Sequence, residues 1–317
     1  MKESERALGN HLYAKLVDFD ANEHELPGII DPDNCAAFID QLIDSIRRVR
    51  YLSVMRSRPI SIERSDPCSP LFDPLKAAEL HQREGNLDEA CWLVFLATHF
   101  GKSLSTGWRL PRDVYGGLQQ GVIWDWNTVS NNTSEFESWI KNNYLTLAGA
   151  DGVMRRFGNH RKYETLKPNK PKSPNKVIST YVEWIGPTKR HINLFQEAKR
   201  KTDADPRSVF SYLYRTMSSV ASFGRTGRFD YLTMLGKMGL VSIEADSAYM
   251  HGATGPKSGG FLLFNGSKNI PLGIQELDAL FLKLGEYLQV GPQAMQVMED
   301  AICNWQKNPA KFVRFNG

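Results

Sequence analysis

The chain has 317 residues, of which 41% are hydrophobic and 23% are charged. A chain of this length can form one large domain or two smaller ones, and the composition is ordinary for a water-soluble globular protein. The sequence contains no run of 18 apolar residues, so no transmembrane helix is predicted. Its charged start lacks the apolar stretch of a signal peptide. We therefore expect neither a membrane protein nor a secreted one, but a cytoplasmic protein that contacts no membrane.

Apolar residues recur at spacings of three and four along most of the chain, which predicts an all-α fold. The first such segment follows the start signal Asp31-Pro32-Asp33 and runs to Ile46. Residues 92–97 are apolar on every face, which indicates a core helix. The stretch 177–182 fits a strand as well as a helix. Further predicted helices cover residues 75–80, 90–100, 136–147, 209–223, 229–238 and 293–307.

The two halves of the chain differ in charge. Residues 1–150 contain 15 Lys or Arg and 21 Asp or Glu, whereas residues 151–317 contain 24 and 14. A basic half beside an acidic half suggests that the protein holds a polyanion on one side, with a solvated surface of mixed charge as the alternative. The cationic, proline-rich stretch 166–174 is typical of a linker. We therefore predict an N-terminal helical lobe of residues 1–165 and a C-terminal helical lobe of residues 166–317, with a cleft between them.

The four cysteines are scattered, and no two have the Cys-x-x-Cys spacing of a zinc or iron–sulfur site. Free thiols in a reducing compartment are the simplest interpretation. Neither His99 nor His160 has a second histidine at the spacing of a helical metal site. We therefore expect no metal and no cofactor.

The segment Gly252-Ala253-Thr254-Gly255-Pro256-Lys257-Ser258-Gly259 is the most informative motif of the chain. Two glycines allow a sharp turn that approaches a ligand closely, and Pro256 suits the first turn of a following helix. Amides at a helix start bind phosphate, whereas a lysine there opposes the helix dipole unless an anion is bound. We predict a DNA-binding turn, and an ordinary helix cap is the alternative. The predicted DNA contacts in this segment are Gly252, Thr254, Gly255, Lys257 and Ser258.

Asp278 lies 21 positions after Lys257, near the start of another predicted helix. A carboxylate in that place can stabilise an oxocarbenium-like sugar and orient a water at C1′. The alternative is a carboxylate that only stabilises its own helix through the dipole, and the neighbouring Glu276 competes for the catalytic role. The residues alone leave Asp278 and Glu276 both open for that role.

Cations and aromatic residues elsewhere in the chain fit contacts with DNA. Residues 155–201 hold 13 Lys or Arg against three Asp or Glu, and a Gly/Arg turn at 224–231 precedes a predicted helix. A solvated charged turn and an ordinary interhelix turn are the respective alternatives. The predicted DNA contacts here are Arg155, Arg156, Arg161, Lys162, Arg225 and Arg228. The predicted lining of a base pocket is His99, Trp124, Trp126, His160, Tyr163, Glu299 and Asn304, for which packing or solvated roles are the alternatives.

Together these segments resemble the helix-hairpin-helix DNA glycosylase superfamily, and within it the alpha-glutamyl/putrescinyl thymine pyrophosphorylase branch associated with phage DNA hypermodification. The resemblance implies a two-lobed helical fold with a helix-hairpin-helix motif and the catalytic Asp278 in the C-terminal lobe. In strand-nicking members the position of Lys257 holds a Schiff-base lysine, so Lys257 is predicted as a catalytic nucleophile or a phosphate contact. The segments that carry the resemblance are 97–102, 157–163, 224–229, 252–259 and 299–307.

The chain is also similar to bacterial anti-phage glycosylases that excise glucosylated hydroxymethylcytosine. This similarity implies an enzyme that flips a modified base out of double-stranded DNA. We predict a monomeric DNA N-glycosylase that removes a bulky modified pyrimidine from phage-type DNA and leaves an abasic site, in anti-phage defence. Two rivals stay open: a transferase that displaces pyrophosphate from a hydroxymethylpyrimidine in DNA, and a non-catalytic module that binds modified DNA.

Overall fold

The structure is a computed structural model that describes residues 3–314, without the side chain of Ser4. The regular secondary structure of these residues is helical, with no β-strand, so the predicted all-α fold is confirmed. None of the described helices combines the length and the apolar character needed to cross a bilayer. The helices are α1 (Glu3–Asn22), α2 (Pro32–Arg56), α3 (Pro74–Arg83), α4 (Leu87–Phe100), α5 (Arg109–Tyr115), α6 (Trp126–Asn131), α7 (Thr133–Leu147), α8 (Pro174–Ile185), α9 (His191–Lys201), α10 (Pro206–Thr216), α11 (Arg225–Lys237), α12 (Gly255–Asn265), α13 (Ile274–Tyr287) and α14 (Ala294–Trp305).

Local sequence signals explain where several helices begin. The Asp31 carboxylate accepts two backbone amides of the first turn of α2, at 2.8 and 3.2 Å, as its start signal predicts. The same kind of cap opens α3, α6 and α10, where the capping residues are Asp73, Asp125 and Asp205. The prediction of a core helix is also confirmed, because every residue of α4 from Glu89 to Phe100 is buried.

The structure decides one ambiguous segment and corrects one predicted helix. Residues 177–182, which fit a strand as well as a helix, lie inside α8, and all six are buried, so the helical interpretation is confirmed. The segment predicted as one helix over 209–223 ends its α-helix at Thr216 and continues as the 3-10 turn Met217–Ser219. Phe223 lies beyond that turn, because the amide of Val220 bonds back to Met217 at 3.0 Å and closes it. Periodicity alone does not show where a helix gives way to a turn with the same apolar spacing.

The described chain divides into two compact units. Unit 1 combines described residues from Met1–Val54 and Glu244–Asn316, and unit 2 is Met55–Ile243. The proline-rich stretch 166–174 lies inside unit 2, where Pro174 opens α8. The predicted lobes of residues 1–165 and 166–317, the cleft and the helix-hairpin-helix motif stay predictions.

In unit 1, α12 packs against α13, α14 and the 3-10 turn Pro27–Ile29. Small residues permit this crowding. A Cβ added to Gly259 would lie 2.6 Å from the carbonyl oxygen of Ile302 in α14, and one added to Gly260 would lie 2.7 Å from Leu277 in α13. Contacts this close fix the position of α12 on two sides. The start of α12, where the predicted DNA-binding turn ends, is therefore held by the core of its own unit.

In unit 2, the core forms around α4. The Phe95 ring stacks on Tyr181 of α8 with centroids 3.7 Å apart and on Phe223 at 4.8 Å. The buried indole of Trp92 donates to the carbonyl of Trp124 at 2.8 Å. Aromatic side chains of this size supply much of the apolar area that stabilises a core.

Candidate functional site

The predicted DNA-binding turn lies directly before α12, and its two glycines meet different demands. Gly252 has φ +78°, a left-handed conformation, and no atom lies within 4 Å of the place its Cβ would occupy. Gly255 is the first residue of α12, and a Cβ there would lie 2.9 Å from the Sγ of Cys303 in α14. The first glycine therefore permits the turn, and the second permits helix packing.

The turn is followed by a helix as predicted, but no helix directly precedes it. α12 begins at Gly255 with Pro256 in its first turn. On the other side, α11 ends at Lys237 and residues 238–254 are not helical. The expectation of a short turn between two helical segments is therefore met only on its C-terminal side.

The start of α12 presents backbone donors beside a lysine. Thr254 makes no side-chain cap, and within residues 3–314 the amides of Gly255 and Lys257 have no hydrogen-bond acceptor. The Lys257 side chain is half-buried and forms no ion pair with any described residue. Open amides with a neighbouring cation suit an anion such as a DNA phosphate.

Asp278 lies in the second turn of α13 and is tied to the segment that leads into this turn. Its carboxylate accepts the Ser247 hydroxyl at 2.8 Å and the backbone amide of Met250 at 3.1 and 3.3 Å. Ser247 Oγ in turn accepts the amide of Tyr249 at 2.8 Å. The half-exposed carboxylate is thus fixed against a residue two positions before Gly252.

Other predicted acidic and amide residues of unit 1 are placed differently. Glu276, which competes with Asp278, is exposed in the first turn of α13. Glu299 is half-buried on α14. The Asn304 side chain donates to the carbonyl of Asp300 at 3.0 Å and accepts from Lys307 at 2.9 Å, so its amide is engaged locally on α14.

Two side chains of the segment 299–307 lie at the start of α12. A Cβ on Gly255 would be 2.9 Å from Cys303 Sγ and 3.6 Å from Gln306 Nε2. Both belong to the predicted final helix, one turn apart, and that spacing indicates a shared face. Ser247, which binds Asp278, has no sequence signal because 31 positions separate the two residues.

Two of the arginines predicted to contact DNA are half-buried, and their side chains are held by acceptors within unit 2. The Arg155 side chain is 5% exposed and binds two carboxylates at 2.6 and 2.8 Å, one of which belongs to Asp113. The Arg161 side chain is 10% exposed and donates to the carbonyl of Thr98 at 2.8 Å and to Asp230 at 2.9 Å. Their guanidinium groups connect segments of the fold, and a contact of either with DNA stays a prediction.

Four neighbouring residues predicted to contact DNA or a base are exposed in unit 2. They are Arg156, His160, Lys162 and Tyr163, of which Tyr163 is 78% exposed. The Lys162 ammonium lies 5.2 Å from the centroid of the Tyr163 ring. This group can meet a DNA strand without rearrangement of the core.

The two arginines of the Gly/Arg turn are half-buried over aromatic rings. Arg228 lies 4.2 Å from the ring centroid of Tyr214 and donates to its carbonyl at 3.0 Å. Arg225 lies 5.9 Å from the ring centroid of Phe229. Cation–π contacts of this kind hold a guanidinium over a ring face.

Three residues predicted for the base pocket lie in the core of unit 2. Trp124 and Trp126 are each 4% exposed, and the Trp126 indole donates to the carbonyl of Lys189 at 2.8 Å. His99 is 2% exposed, and burial, followed by the charge of Arg161, lowers the pKa of its imidazole to about 3. Stacking on an extruded base needs an open ring face, and these three side chains are packed in the core. Their part in a base pocket stays a prediction.

Three segments that carry the resemblance meet around Arg161. The amide of Gly158 donates to the carbonyl of Phe100 at 2.8 Å, and Arg161 bonds to the carbonyl of Thr98 and to Asp230 on α11. The sequence presents these segments as separate motifs, whereas the fold joins them into one packed region. They are residues 97–102, 157–163 and 224–229.

A buried polar chain in unit 2 has no counterpart in the sequence analysis. Asp88 accepts from Nδ1 of His191 at 2.9 Å, His191 Nε2 bonds to the Tyr181 hydroxyl at 2.7 Å, and Tyr181 bonds to the Tyr231 hydroxyl at 2.7 Å. Burial lowers the pKa of His191 and raises the pKa of both tyrosines well above its usual range. Because His191 and both tyrosines are fully buried, we interpret the chain as polar groups that satisfy one another.

Within the part of the chain that the structure describes, no group of three or more His, Cys, Asp or Glu side chains could hold a metal ion. The four cysteines form no disulfide. The candidate site is therefore built from the turn, the start of α12 and Asp278.

One family model matches residues 33–317, and its description is alpha-glutamyl/putrescinyl thymine pyrophosphorylase clade 3. The match includes the turn, Asp278 and the region around Arg161. No curated protein and no solved structure matches the chain. On the extent of this match, the chain belongs to the alpha-glutamyl/putrescinyl thymine pyrophosphorylase clade 3 family.

Proposed function

We propose that this chain is an enzyme that modifies pyrimidine bases in DNA by displacing diphosphate from a hydroxymethyl group. The family match over residues 33–317 carries this proposal. The family description names a pyrophosphorylase and the glutamyl and putrescinyl groups, whose parent compounds, glutamate and putrescine, both carry an amine. An amine is therefore the proposed nucleophile, and a thymine-like base carrying a diphosphorylated hydroxymethyl group is the proposed substrate.

In this reaction the amine nitrogen attacks the exocyclic methylene carbon of the base. A C–N bond forms, the C–O bond to diphosphate breaks, and diphosphate leaves with the electron pair. The amine loses a proton to a base in the site. Asp278 is our candidate for that base, because its carboxylate is half-exposed and is oriented by the Ser247 hydroxyl and the Met250 amide.

The turn and the start of α12 are the proposed binding site for the DNA backbone near the target base. The open amides of Gly255 and Lys257 and the Lys257 ammonium supply donors and a charge for one phosphate. In unit 2, the exposed cations Arg156 and Lys162 beside Tyr163 are the proposed further contacts with the strand.

The test uses duplex DNA that contains a diphosphorylated hydroxymethylpyrimidine, with putrescine or glutamate as the amine. We expect released diphosphate and, after digestion to nucleosides, a base whose mass includes the amine. Asp278→Asn is expected to lower the rate by about 100-fold or more, which is typical for loss of a general base. Glu276→Gln is the matched control on the same helix and should keep the wild-type rate. Equal rates for Asp278→Asn and wild type would exclude Asp278 as the base.

The second candidate is a DNA N-glycosylase, favoured by the fixed carboxylate of Asp278 beside a turn suited to phosphate. In that reaction Asp278 stabilises an oxocarbenium-like sugar while a bulky modified pyrimidine, such as glucosylated hydroxymethylcytosine, leaves its deoxyribose. The same incubation on glucosylated phage DNA then yields free base and alkali-labile abasic sites, with no amine product. If borohydride traps a covalent adduct on Lys257, the lysine is a nucleophile. If the protein forms abasic sites but no adduct is trapped, Lys257 is a phosphate contact.

A module that only binds modified DNA makes a third set of expectations. It predicts neither diphosphate release nor abasic sites on any substrate. Its affinity for DNA would fall with salt in proportion to its phosphate contacts and would be unaffected by Asp278→Asn. Binding measurements on wild type and Asp278→Asn at two salt concentrations therefore complete the comparison.

A further inference from the structure

A polar cavity of about 310 Å³ lies in unit 2, at the start of α5. Its walls include three arginines and one carboxylate, which gives the lining an excess of positive charge. None of these side chains has a part in the reaction proposed above. The polar residues that line it are Arg109, Arg112, Asp113, Gln119 and Arg155.

The innermost charges of the cavity are already matched. Arg155 binds Asp113 at 2.6 Å and Asp151 at 2.8 Å, and it also donates to two backbone carbonyls. The Asp113 carboxylate also accepts from Nε of Arg112 at 2.9 Å. Asp113 is 7% exposed, so both of its oxygens are committed to arginines inside the protein. These contacts make a rigid wall whose guanidinium groups are held in place.

Donors and positive charge remain at the mouth of the cavity. Arg109 is exposed, and its guanidinium has no hydrogen bond or ion pair with any residue between 3 and 314. Arg112 directs its bonds to Asp113 through Nε and Nη2, so its Nη1 group has no acceptor in the same part of the chain. The three arginines of the lining outnumber the carboxylates of Asp113 and Asp151, which pair with Arg112 and Arg155, so one positive charge is uncompensated.

A strained turn forms another wall of the cavity. Leu118 and Gln119 have φ values of +56° and +61°, directly after Gly117 at +54°. Left-handed residues other than glycine cost about 1 kcal/mol or more and persist only where the surrounding structure holds them. The turn places Gln119, which carries a neutral side-chain amide, in the lining of the cavity.

From these contacts we infer that the cavity binds a phosphate group. Guanidinium forks match phosphate oxygens in pairs, and a phosphate supplies both the missing negative charge and several acceptors. The volume equals that of about ten water molecules at ~30 Å³ each, so a phosphomonoester or a free diphosphate fits. Arg109 and Arg112 are the binding residues, and Arg155 with Asp113 positions Arg112. The bound group is either free diphosphate or a phosphate of the DNA backbone.

Isothermal titration of the full chain with sodium diphosphate and with sodium phosphate, at constant ionic strength, tests this inference. A fluorescent DNA duplex in an anisotropy assay supplies the second arm. Arg109→Gln should weaken binding about tenfold, as expected for loss of a charge-assisted hydrogen bond, and adding Arg112→Gln should weaken it further. Arg58→Gln removes an exposed arginine of the same unit outside the cavity and should bind as wild type does.

The two arms identify the source of the phosphate. Diphosphate binding that Arg109→Gln weakens, with unchanged DNA affinity, assigns the cavity to a free ligand. DNA affinity that falls in Arg109→Gln, with a salt dependence reduced by about one phosphate contact, assigns it to the backbone. Wild-type affinity of Arg109→Gln for all three probes would overturn the inference, as would a wild-type protein that binds none of them. Arg109 is exposed and forms no hydrogen bond or ion pair in the described chain, so circular dichroism should show Arg109→Gln folded as wild type.

Discussion

Glu89 gives the sharpest test of the unit 2 core, because a single proton should change the stability of the fold. The side chain is 4% exposed and accepts the backbone amide of Trp126 at 2.7 Å. Burial raises the pKa of Glu89 from 4.5 to about 7, and the nearby charges of Asp125 and Asp88 add to the effect of burial. The folded protein therefore keeps this proton at pH values where the unfolded chain has lost it.

The sign and size of the effect follow from that difference. Below pH 4.5 both states hold the proton, and stability falls as the pH rises from there to about 7. Raising the pKa of Glu89 from 4.5 to about 7 corresponds to a loss of about 3 kcal/mol in the free energy of unfolding. This loss is complete near pH 8. Glu89→Gln keeps an oxygen for the Trp126 amide and has no charge to bury. The free energy of unfolding of Glu89→Gln, relative to that of wild type, should therefore rise by about 3 kcal/mol from pH 4.5 to pH 8.

Urea unfolding followed by circular dichroism at both pH values measures this gain. Glu63→Gln, at an exposed glutamate of the same unit, is the control and should show no pH-dependent difference from wild type. If Glu89→Gln differs from wild type by the same free energy at pH 4.5 and pH 8, Glu89 does not titrate as its burial requires and the reasoning fails.

Three further predictions concern packing and charge. Gly259→Ala should lower the melting temperature by an amount corresponding to about 1–3 kcal/mol, because the new Cβ would lie 2.6 Å from a carbonyl oxygen. In the control Gly9→Ala, the nearest atom to the new Cβ is a side-chain carbon at 3.6 Å, and the alanine should stabilise α1 slightly. Folded His99 stays neutral to about pH 3, so stability should fall as the pH drops below 6.5, and His99→Phe should show a smaller fall in melting temperature from pH 7 to pH 4. Arg161→Lys should cost about 2 kcal/mol in urea unfolding, because one ammonium cannot reach both acceptors of the guanidinium.

Much of the helical fold follows from local sequence signals. The Asp31 cap and the apolar run of α4 predict their helices because both effects act within one or two turns. α1 also carries a signal, since the buried residues Leu12, Leu16 and Phe19 recur at helical spacing. The mixed charges around them obscure that pattern. In the 177–182 segment the same residues fit a strand, and packing within unit 2 decides for a helix.

The site was less predictable, because exposure depends on residues far away in sequence. Basic composition does not tell a cation that faces solvent from one that binds a buried carboxylate. Arg155 meets Asp113 across 42 positions, and Arg161 meets Asp230 across 69 positions. The contact from Asp278 to Met250 spans 28 positions and likewise has no local signature. Residue type therefore identified candidates, and tertiary contacts decided which of them remain available to a ligand.

Gly255 shows why the glycine spacing of the turn does not by itself identify a phosphate site. Packing alone requires a glycine there, since a Cβ would lie 2.9 Å from Cys303 Sγ. A backbone that approaches a DNA phosphate closely would require one too. Gly255→Ala alone should cost about 1–3 kcal/mol and disturb both stability and DNA binding, so it cannot separate the two demands.

Combining Gly255→Ala with Cys303→Ala does separate them. Removing Sγ makes room for the new Cβ, so the double variant should recover most of the lost free energy of unfolding relative to Cys303→Ala alone. If Gly255 also lies against DNA, the affinity for a duplex should stay reduced after stability is restored, because the Cβ still stands between the α12 amides and the phosphate. A double variant with the DNA affinity of Cys303→Ala would assign Gly255 to packing only. The proposed phosphate contact would then consist of Gly252, the Lys257 ammonium and the backbone amide of Lys257.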